Sequence, residues 1–157
     1  MDYKKVFYEK YVSAHAREMY GVQSLEKIEN EFPAWDKFFG RFLPKDKNAR
    51  ILDLGCGDGG FVYWLRSRGF ANVDGIDVSE EQVKEAKRLG VAGVFSDNAF
   101  SFLAKNKKSY NVIFARDFIE HLTKEEITIL MPAVFESFRD GGVFVVQTLN
   151  AESLLGA

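Results

Sequence analysis

The side chains best suited to binding chemistry lie in one short stretch, ILDLGCGDGG at residues 51–60. An apolar run that contains the carboxylate of Asp53 leads into a cluster of glycines and then into the apolar positions Phe61, Val62 and Leu65. Glycines let a backbone approach a ligand closely, and a helix that starts here points its first N–H groups toward that ligand. The stretch therefore predicts a buried strand, a tight turn and a helix that form a cofactor pocket.

Two classes of cofactor use such a turn. Gly55, Gly57 and Gly60 satisfy the dinucleotide-binding pattern G-x-G-x-x-G, and Asp77 lies at about the distance where that fold places its ribose-binding acid. Asp53 is the residue that this pattern leaves unexplained, because a dinucleotide-binding strand is normally apolar two residues before the first glycine.

ILDLGCGDGG closely resembles motif I of the class I S-adenosylmethionine (SAM)-dependent methyltransferases. The resemblance continues through VDGIDVS, FSDNAF, FARDFIEHL and GGVFVVQTLN. It implies an enzyme that transfers a methyl group from SAM to an oxygen or nitrogen of a small-molecule or sugar-type acceptor. Two alternatives stay open, an NAD(P)-dependent oxidoreductase and a catalytically silent domain that binds SAM or a partner.

The resemblance implies roles for the residues of the glycine turn. The amino-acid end of SAM would lie over Gly55, Cys56 and Gly57, where helix N–H groups can hold its carboxylate and backbone carbonyls its ammonium. Gly57 and Gly59 would be needed because a Cβ there would stand in ligand space. Asp53 would orient the turn or receive the ammonium through water; the plainer interpretation is an acid that only caps the turn.

The acids that follow the next two strands are expected to hold the nucleoside. By the same resemblance, Asp77 would accept hydrogen bonds from both ribose hydroxyls, with Val78 against the adenine face. Asp97 would accept from the exocyclic amine of adenine, while the backbone N–H of Asn98 donates to the ring. Either acid could instead cap the helix that follows it, and we assign the first cap to Ser79 and the ribose to Asp77.

The segment RDFIEHL at residues 116–122 would lie nearest the methyl group. Methyl transfer from a sulfonium is an in-line displacement, so the protein must hold donor and acceptor in contact and accept a proton. His121 is the expected base, although a structural histidine at a helix start is an equal alternative. The other residues assigned here are Asp117 and Glu120 as catalytic and Arg116 as cofactor-binding.

The same segment also resembles the metal-binding motif E-x-x-E-H of some class I methyltransferases. Two carboxylates and an imidazole can ligate a divalent cation. Here the first acid is Asp117 and no histidine follows His121. No metal is therefore predicted.

Alternating strands and helices must position these residues. Such alternation predicts an α/β fold, a doubly wound and mainly parallel sheet with helices on both faces. Upstream, a helical pattern at residues 2–20 and another after Ser24, kinked or divided at Pro33, predict a flank or lid in which Tyr11 and His15 could reach the site. The predicted strands are 50–54, 73–77, 92–96, 110–115 and 142–149, and the predicted helices are 59–68, 80–89, 98–105 and 124–138.

We expect three regions: an N-terminal helical flank or lid at 1–45, a SAM-binding Rossmann-like core at 46–149 and a C-terminal tail at 150–157. Class I methyltransferases usually continue past the fifth strand with a helix and an antiparallel hairpin. The resemblance therefore implies that this hairpin is missing and that the chain is a truncated form. An uncovered sheet edge invites pairing, so a homodimer through that edge is a further expectation.

Composition narrows the class of partner. The 157 residues are 46% hydrophobic and 28% charged, which is typical of one globular domain. A net charge of -2, with Lys and Arg scattered among acids, disfavours nucleic acid as a partner. The single cysteine excludes an intramolecular disulfide, and no leader or long apolar run is evident. We therefore expect a cytoplasmic protein with a small-molecule acceptor and no membrane partner.

Overall fold

Five parallel strands form the centre of the structure, a computed structural model that describes residues 23–148. Their order in the sheet is β3-β2-β1-β4-β5, and each neighbouring pair is parallel. The predicted doubly wound α/β fold is therefore confirmed, with the direction of winding reversing between β3 and β4. The strands are β1 (Ile51–Leu54), β2 (Val73–Asp77), β3 (Val94–Ser96), β4 (Tyr110–Arg116) and β5 (Phe138–Gln147).

Helices cover both faces of this sheet. The predicted helices beyond residue 50 are all present, and the pattern after Ser24 is divided in two, with Pro33 in the first turn of the second helix. Predictions for residues 2–20, including Tyr11 and His15, and for residues 149–157 lie outside the described residues. The helices are α1 (Leu25–Glu29), α2 (Phe32–Phe39), α3 (Gly60–Ser67), α4 (Glu80–Arg88), α5 (Ala99–Lys105) and α6 (Lys124–Ser137), with 3-10 turns at Gly40–Phe42 and Ile119–His121.

Side-chain caps begin several of these helices. Ser79 accepts a hydrogen bond from the backbone of Gln82, as the sequence predicts. Thr123 and Glu126 form a reciprocal capping box at the start of α6. These polar caps fix where the chain leaves each strand, and so they fix the rim of the sheet at which ligands bind.

The last strand begins earlier than predicted. β5 starts at Phe138, four residues before the predicted start at 142, and follows α6 directly. Tyr110 pairs with Phe138 but Val112 pairs with Val143, so the register shifts across a bulge. Gly141 lies in this bulge with φ of 76°. Residues 139–141, which lie between the predicted helix and the predicted strand, form an irregular start of the strand.

Two apolar layers enclose the sheet. Ile51 and Leu52 in β1 are both fully buried, but they belong to clusters on opposite faces. Trp35 and Phe39 of α2 pack edge-on against Phe61 of α3 in the first cluster. Both faces of β1 are therefore covered, which is the setting that a parallel strand requires.

Polar contacts also join α2 to α3. Asp36 accepts a hydrogen bond from the indole nitrogen of the fully buried Trp64 at 3.1 Å and two more from Arg68 at 2.8 and 2.6 Å. This docking places α2 beside the carboxyl end of β4, where the ring of Trp35 lies 5.0 Å from the guanidinium of Arg116. No helix in the part of the chain described here has the length and apolar character needed to cross a membrane.

Candidate cofactor site

A cavity of about 1210 Å³ opens at the carboxyl ends of the strands. This is where doubly wound sheets bind ligands, at the switch point between β1 and β4. Eleven of the thirteen predicted site residues line the cavity, and the exceptions are Gly59 and Glu120. The eleven are Asp53, Gly55, Cys56, Gly57, Asp77, Val78, Asp97, Asn98, Arg116, Asp117 and His121.

The glycine turn after β1 has a backbone that ordinary residues rarely adopt. Gly55 has φ of 73° and Gly57 has φ of 55°. A Cβ on Gly55 would lie 2.7 Å from the Cδ2 of Phe118, so this glycine also permits the segment after β4 to approach the turn. At Gly57, which lines the cavity, the nearest protein atom would be 3.9 Å away, so within the protein only the backbone conformation favours glycine. The predicted conflict between a Cβ at Gly57 and the ligand stays a prediction.

Gly59 packs against residues near β3 and does not line the cavity. It has φ of 78° and is the N-cap residue of α3. A Cβ there would lie 2.9 Å from the Cγ2 of Val94 and 3.1 Å from the Cγ1 of Val91. Close packing of the turn against the region around β3 is therefore sufficient reason for this glycine, and the predicted conflict with the ligand stays a prediction.

The turn uses most of its own backbone N–H groups. Five of the six at residues 55–60 donate to acceptors within the protein. The N–H of Gly60, the first residue of α3, donates to the Asp58 carboxylate at 3.0 Å. The sequence predicts that N–H groups at this helix end hold a ligand carboxylate, but this one is already capped. The other four donors are Gly55, Cys56, Gly57 and Gly59.

Asp77 ties the end of β2 to the turn. One carboxylate oxygen accepts from the backbone N–H of Gly57 at 2.9 Å and the other from that of Ser79 at 2.8 Å. Burial raises the pKa of the Asp77 carboxyl, and these two hydrogen bonds oppose that rise. Each oxygen keeps a lone pair for another donor, so the carboxylate can order the turn and still face ligand hydroxyls.

Asp53 is the most buried charged group of the site. Its side chain is 2% exposed, in the middle of an otherwise apolar strand. Burial raises the pKa of Asp53 to about 7; Arg116 opposes this rise and Asp77 adds to it. The Asp53 carboxyl in the cavity wall therefore gains or loses its charge near neutral pH.

The third strand leads into a rim that suits an adenine edge. Asp97 accepts hydrogen bonds from the backbone N–H of Asn98 at 2.7 Å and from the hydroxyl of Ser101 at 2.8 Å, and its pKa is lowered chiefly by the Ser101 bond. The helix cap falls on Asn98, whose side chain accepts from Phe100, and not on Asp97. Val78 is 54% exposed and presents an apolar surface to the same part of the cavity.

The segment after β4 brings two of its three predicted catalytic residues to the cavity. Asp117 has φ of 47° and donates its N–H to the carbonyl of Gln147 at 2.9 Å. Burial raises the pKa of the Asp117 carboxyl, Glu120 adds to the rise, and Arg116 and His121 oppose it. Strained backbone of this kind is typical of functional sites.

Glu120, the third predicted catalytic residue, contacts Thr148 and lies outside the cavity. Its carboxylate accepts from the hydroxyl of Thr148 at 3.1 Å, and it does not line the cavity. His121, in the following position, is exposed and does line it. Among the described residues, no group of three or more His, Cys, Asp and Glu side chains is arranged to hold a metal ion.

Some residues at the site were given no role by the sequence analysis. Asp58 caps Gly60 and also accepts from the side chain of Gln23 at 3.0 Å, which joins the start of α1 to the turn. Trp35 lines the cavity although its spacing predicts only an apolar helix face. The signal available for Asp58 is its place in the turn, and its partners depend on how α1 docks.

Comparison with known proteins identifies relatives of this fold and site. The methyltransferase domain family matches residues 28–156. Malonyl-[acyl-carrier protein] O-methyltransferase of Enterobacter lignolyticus is 26% identical over 112 residues, which cover 71% of this chain and 43% of that protein. Ubiquinone biosynthesis O-methyltransferase of Pelagibacter ubique is 29% identical over 107 residues, which cover 66% of this chain and 43% of that protein.

A solved structure has the same fold. The crystal structure of a SAM-dependent methyltransferase from Archaeoglobus fulgidus matches with a TM-score of 0.68 at 23% identity. The match covers 98% of this chain and 62% of that one. The chain thus spans less than half of the length of the two relatives and about three-fifths of this structure.

Proposed function

The chain belongs to the methyltransferase domain family, and we propose that it binds SAM and transfers the methyl group to an oxygen or nitrogen of a small-molecule or sugar-type acceptor. One observation carries this proposal: two carboxylates on neighbouring strands, Asp53 within β1 and Asp77 at the end of β2, line one cavity beside the glycine turn. A dinucleotide site would account for Asp77 and leave Asp53 without a role.

The nucleoside end of the cofactor suits the β2 and β3 side of the cavity. The second lone pairs of the Asp77 carboxylate would accept from the ribose hydroxyls. Val78 would lie against the adenine face. The Oδ2 of Asp97, which lies 3.9 Å from the Nζ of Lys105 and accepts no hydrogen bond from the described residues, would accept from the exocyclic amine. The backbone N–H of Asn98 already donates to Asp97, so its predicted bond to the ring would need a shared donor.

The β4 side of the cavity suits the reacting end. When bound, SAM supplies an electrophilic methyl group on a sulfonium. His121 would accept the proton that a hydroxyl or amine acceptor gives up, and Asp117 would orient it or hold the acceptor. Glu120 would act from outside the cavity, by fixing this segment through Thr148.

The cavity has room for an acceptor beside the cofactor. Its volume of about 1210 Å³ exceeds the usual range for small-ligand pockets, roughly 300 to 1000 Å³. One of the two relatives is named for malonyl-[acyl-carrier protein] and the other for ubiquinone biosynthesis, so their names do not agree on one acceptor. The proposal therefore stays at the class of acceptor, a small molecule with a nucleophilic oxygen or nitrogen.

Pairing with a second copy stays a prediction. Of the strands in residues 23–148, β5 lies at one edge of the sheet, and it exposes Val143 and Val146 at 42% and 41%. Light scattering of the purified chain at several concentrations tests this. A mass of one chain throughout would contradict it.

Calorimetric titration with S-adenosylhomocysteine (SAH) tests the proposal, with NADH as the competing ligand. We expect micromolar binding of SAH and none of NADH. The reverse result would support the oxidoreductase alternative. A second assay measures methyl transfer from SAM to a panel of hydroxyl and amine compounds, with His121→Ala as the variant and the exposed, non-lining Lys124→Ala as its control. SAH binding without turnover of any compound would favour the silent domain.

A further inference from the structure

The chain leaves β4 in a backbone conformation that is uncommon outside glycine. Asp117, the first residue after the strand, has φ of 47°. A left-handed conformation of this kind persists where the surrounding structure holds it in place. The contacts of residues 117–122 therefore determine where His121, the base of the proposed reaction, is located.

The glycine turn after β1 holds this segment from one side. A Cβ on Gly55 would lie 2.7 Å from the Cδ2 of Phe118 and 3.3 Å from its Cβ and Cγ, so the Phe118 side chain rests directly on the backbone of Gly55. Phe118 also packs against the buried cluster that contains Leu54, and it lines the cavity. Phe118 thus ties the segment after β4 to the turn over which the cofactor is proposed to bind.

The end of β5 holds the same segment from the other side. The carbonyl of Gln147 accepts from the N–H of Asp117 at 2.9 Å, and its side-chain oxygen accepts from the Nε of Arg116 at 3.4 Å. The hydroxyl of Thr148 donates to the carboxylate of Glu120 at 3.1 Å. These hydrogen bonds fasten the segment to two consecutive residues at the end of β5.

A single 3-10 turn, Ile119–His121, lies between the two attachments. The N–H of His121 closes it by donating to the carbonyl of Phe118 at 3.2 Å. With three residues per turn, neighbouring side chains project about 120° apart. Because Glu120 is directed to Thr148, His121 is directed to another side of the turn, where it lines the cavity. A change at either attachment would therefore move the imidazole.

We propose that Phe118 and Thr148 are positioning residues for methyl transfer, Phe118 by packing on Gly55 and Thr148 by holding Glu120. Neither takes part in the proton transfer; together they keep the His121 imidazole at one place relative to the cofactor. This inference rests on the proposed function, which makes His121 the base that accepts the acceptor's proton. A general base must lie within hydrogen-bond reach of that proton, so a small displacement lowers turnover more than cofactor affinity.

Proton NMR of the imidazole rings tests this positioning without an acceptor. The chain has two histidines, and the spectrum of His121→Ala identifies the His121 signals. We expect Thr148→Val, which replaces the hydroxyl by a methyl group, to shift these signals. Thr148→Ser, which keeps the hydroxyl, should leave them as in wild type. Phe118→Leu, which removes the aromatic ring from Gly55, should shift them as well.

Turnover measures the consequence for the reaction. With a compound that wild type methylates, we expect Thr148→Val and Phe118→Leu to lower kcat at least about tenfold, while SAH affinity stays within about threefold of wild type. Calorimetry measures the affinity. Thr148→Ser should restore the wild-type rate, because it restores the hydrogen bond to Glu120.

Matched substitutions at exposed positions outside the cavity are the controls. Thr128→Val removes a hydroxyl that donates to the carbonyl of Lys124 at 2.8 Å, and Phe135→Leu shortens a side chain that is 79% exposed. Both should match wild type in the NMR signals, in SAH affinity and in turnover. Circular dichroism and thermal unfolding check the fold, and if Phe118→Leu is not folded, the comparison of Thr148→Val with Thr148→Ser decides.

Three results would overturn this inference alone. Unshifted His121 signals in Thr148→Val and Phe118→Leu would show that the turn keeps its place without these residues. Shifted signals with full turnover would show that the position of the imidazole does not limit the reaction. Equal losses of SAH affinity and turnover would make both residues general supports of the pocket. If wild type bound no SAH, or bound it and methylated no compound, the proposed function would fail as well, whatever the NMR signals were.

Discussion

The Asp77 carboxylate at the end of β2 accepts a hydrogen bond from the backbone N–H of Gly57, 2.9 Å away and twenty residues earlier in the chain. The same carboxylate accepts from Ser79, so one side chain orders the glycine turn and the start of the next helix segment. Any ligand that bonds to Asp77 is therefore linked to the geometry of the turn.

Replacing Asp77 tests this link. Asp77→Ala removes charged acceptors and frees the turn, so we expect SAH affinity to fall by on the order of 2 kcal/mol. Calorimetric titration measures the change. Asp140→Ala, an exposed acid outside the cavity, is the control and should bind as wild type does. Unchanged affinity in Asp77→Ala would leave this residue with a capping role alone.

The buried Asp53 carboxyl should make stability depend on pH. Its pKa of about 7 lies above the ordinary 3.8, so the folded protein holds this proton more tightly than the unfolded chain. The stabilisation is complete below pH 3.8 and is lost as the pH rises through 7. Between pH 5 and 8, we expect wild type to lose on the order of 2 kcal/mol more unfolding free energy than Asp53→Asn.

Urea unfolding of both proteins at pH 5 and pH 8 measures that difference. The raised pKa values of Asp77 and Asp117 act in the same direction but are present in both proteins, so they largely cancel. Parallel loss of stability in wild type and Asp53→Asn would show that Asp53 is ionised throughout this range.

Gly59 and Gly90 have nearly the same backbone conformation but different surroundings. Comparing their alanine variants therefore separates the cost of crowding from the cost of the backbone conformation. Gly59 and Gly90 have φ of 78° and 77°, but an added Cβ would crowd Val94 at Gly59 and meet nothing within 4 Å at Gly90. Both alanine variants should lose roughly 1 kcal/mol to the left-handed backbone. Gly59→Ala should lose about 1 to 3 kcal/mol more from overpacking. Equal losses of unfolding free energy in the two variants would mean that the residues around β3 shift to accommodate the added methyl group without loss of stability.

The contact between α2 and α3 gives a fourth prediction. Asp36→Ala leaves the buried Trp64 indole nitrogen and Arg68 without their acceptor. The free energy of unfolding should fall by about 1 to 2 kcal/mol, a loss limited because the Asp36 side chain is 45% exposed. Glu80→Ala breaks an exposed ion pair with Lys84 and should cost less than about 0.5 kcal/mol. Thermal unfolding followed by tryptophan fluorescence compares them, and similar losses would count against the buried hydrogen bond.

Local signals in the sequence were sufficient for much of this architecture. Ser79 caps its helix because a short hydroxyl beside acidic residues suits a helix start, and the acids at strand ends meet because parallel strands end at one edge. The packing role of Gly59 was not predictable in this way, since its neighbour Val94 is distant in sequence. The aromatic contacts of Arg116 likewise depend on how α2 docks on α3, which periodicity alone does not specify.

The strand order also has a kinetic consequence. The residues proposed to face the nucleoside lie between Asp53 and Asn98, whereas those proposed for the reacting end follow β4. The two groups come together when β1 pairs with β4, for example at Ile51 and Val112, which are far apart in sequence. Contacts of such sequence separation form slowly because a long loop must close first. A nascent or refolding chain would thus acquire half of the pocket early and the other half late. A ligand that contacts both halves would bind only after β1 and β4 have paired, and it would stabilise the folded chain against unfolding.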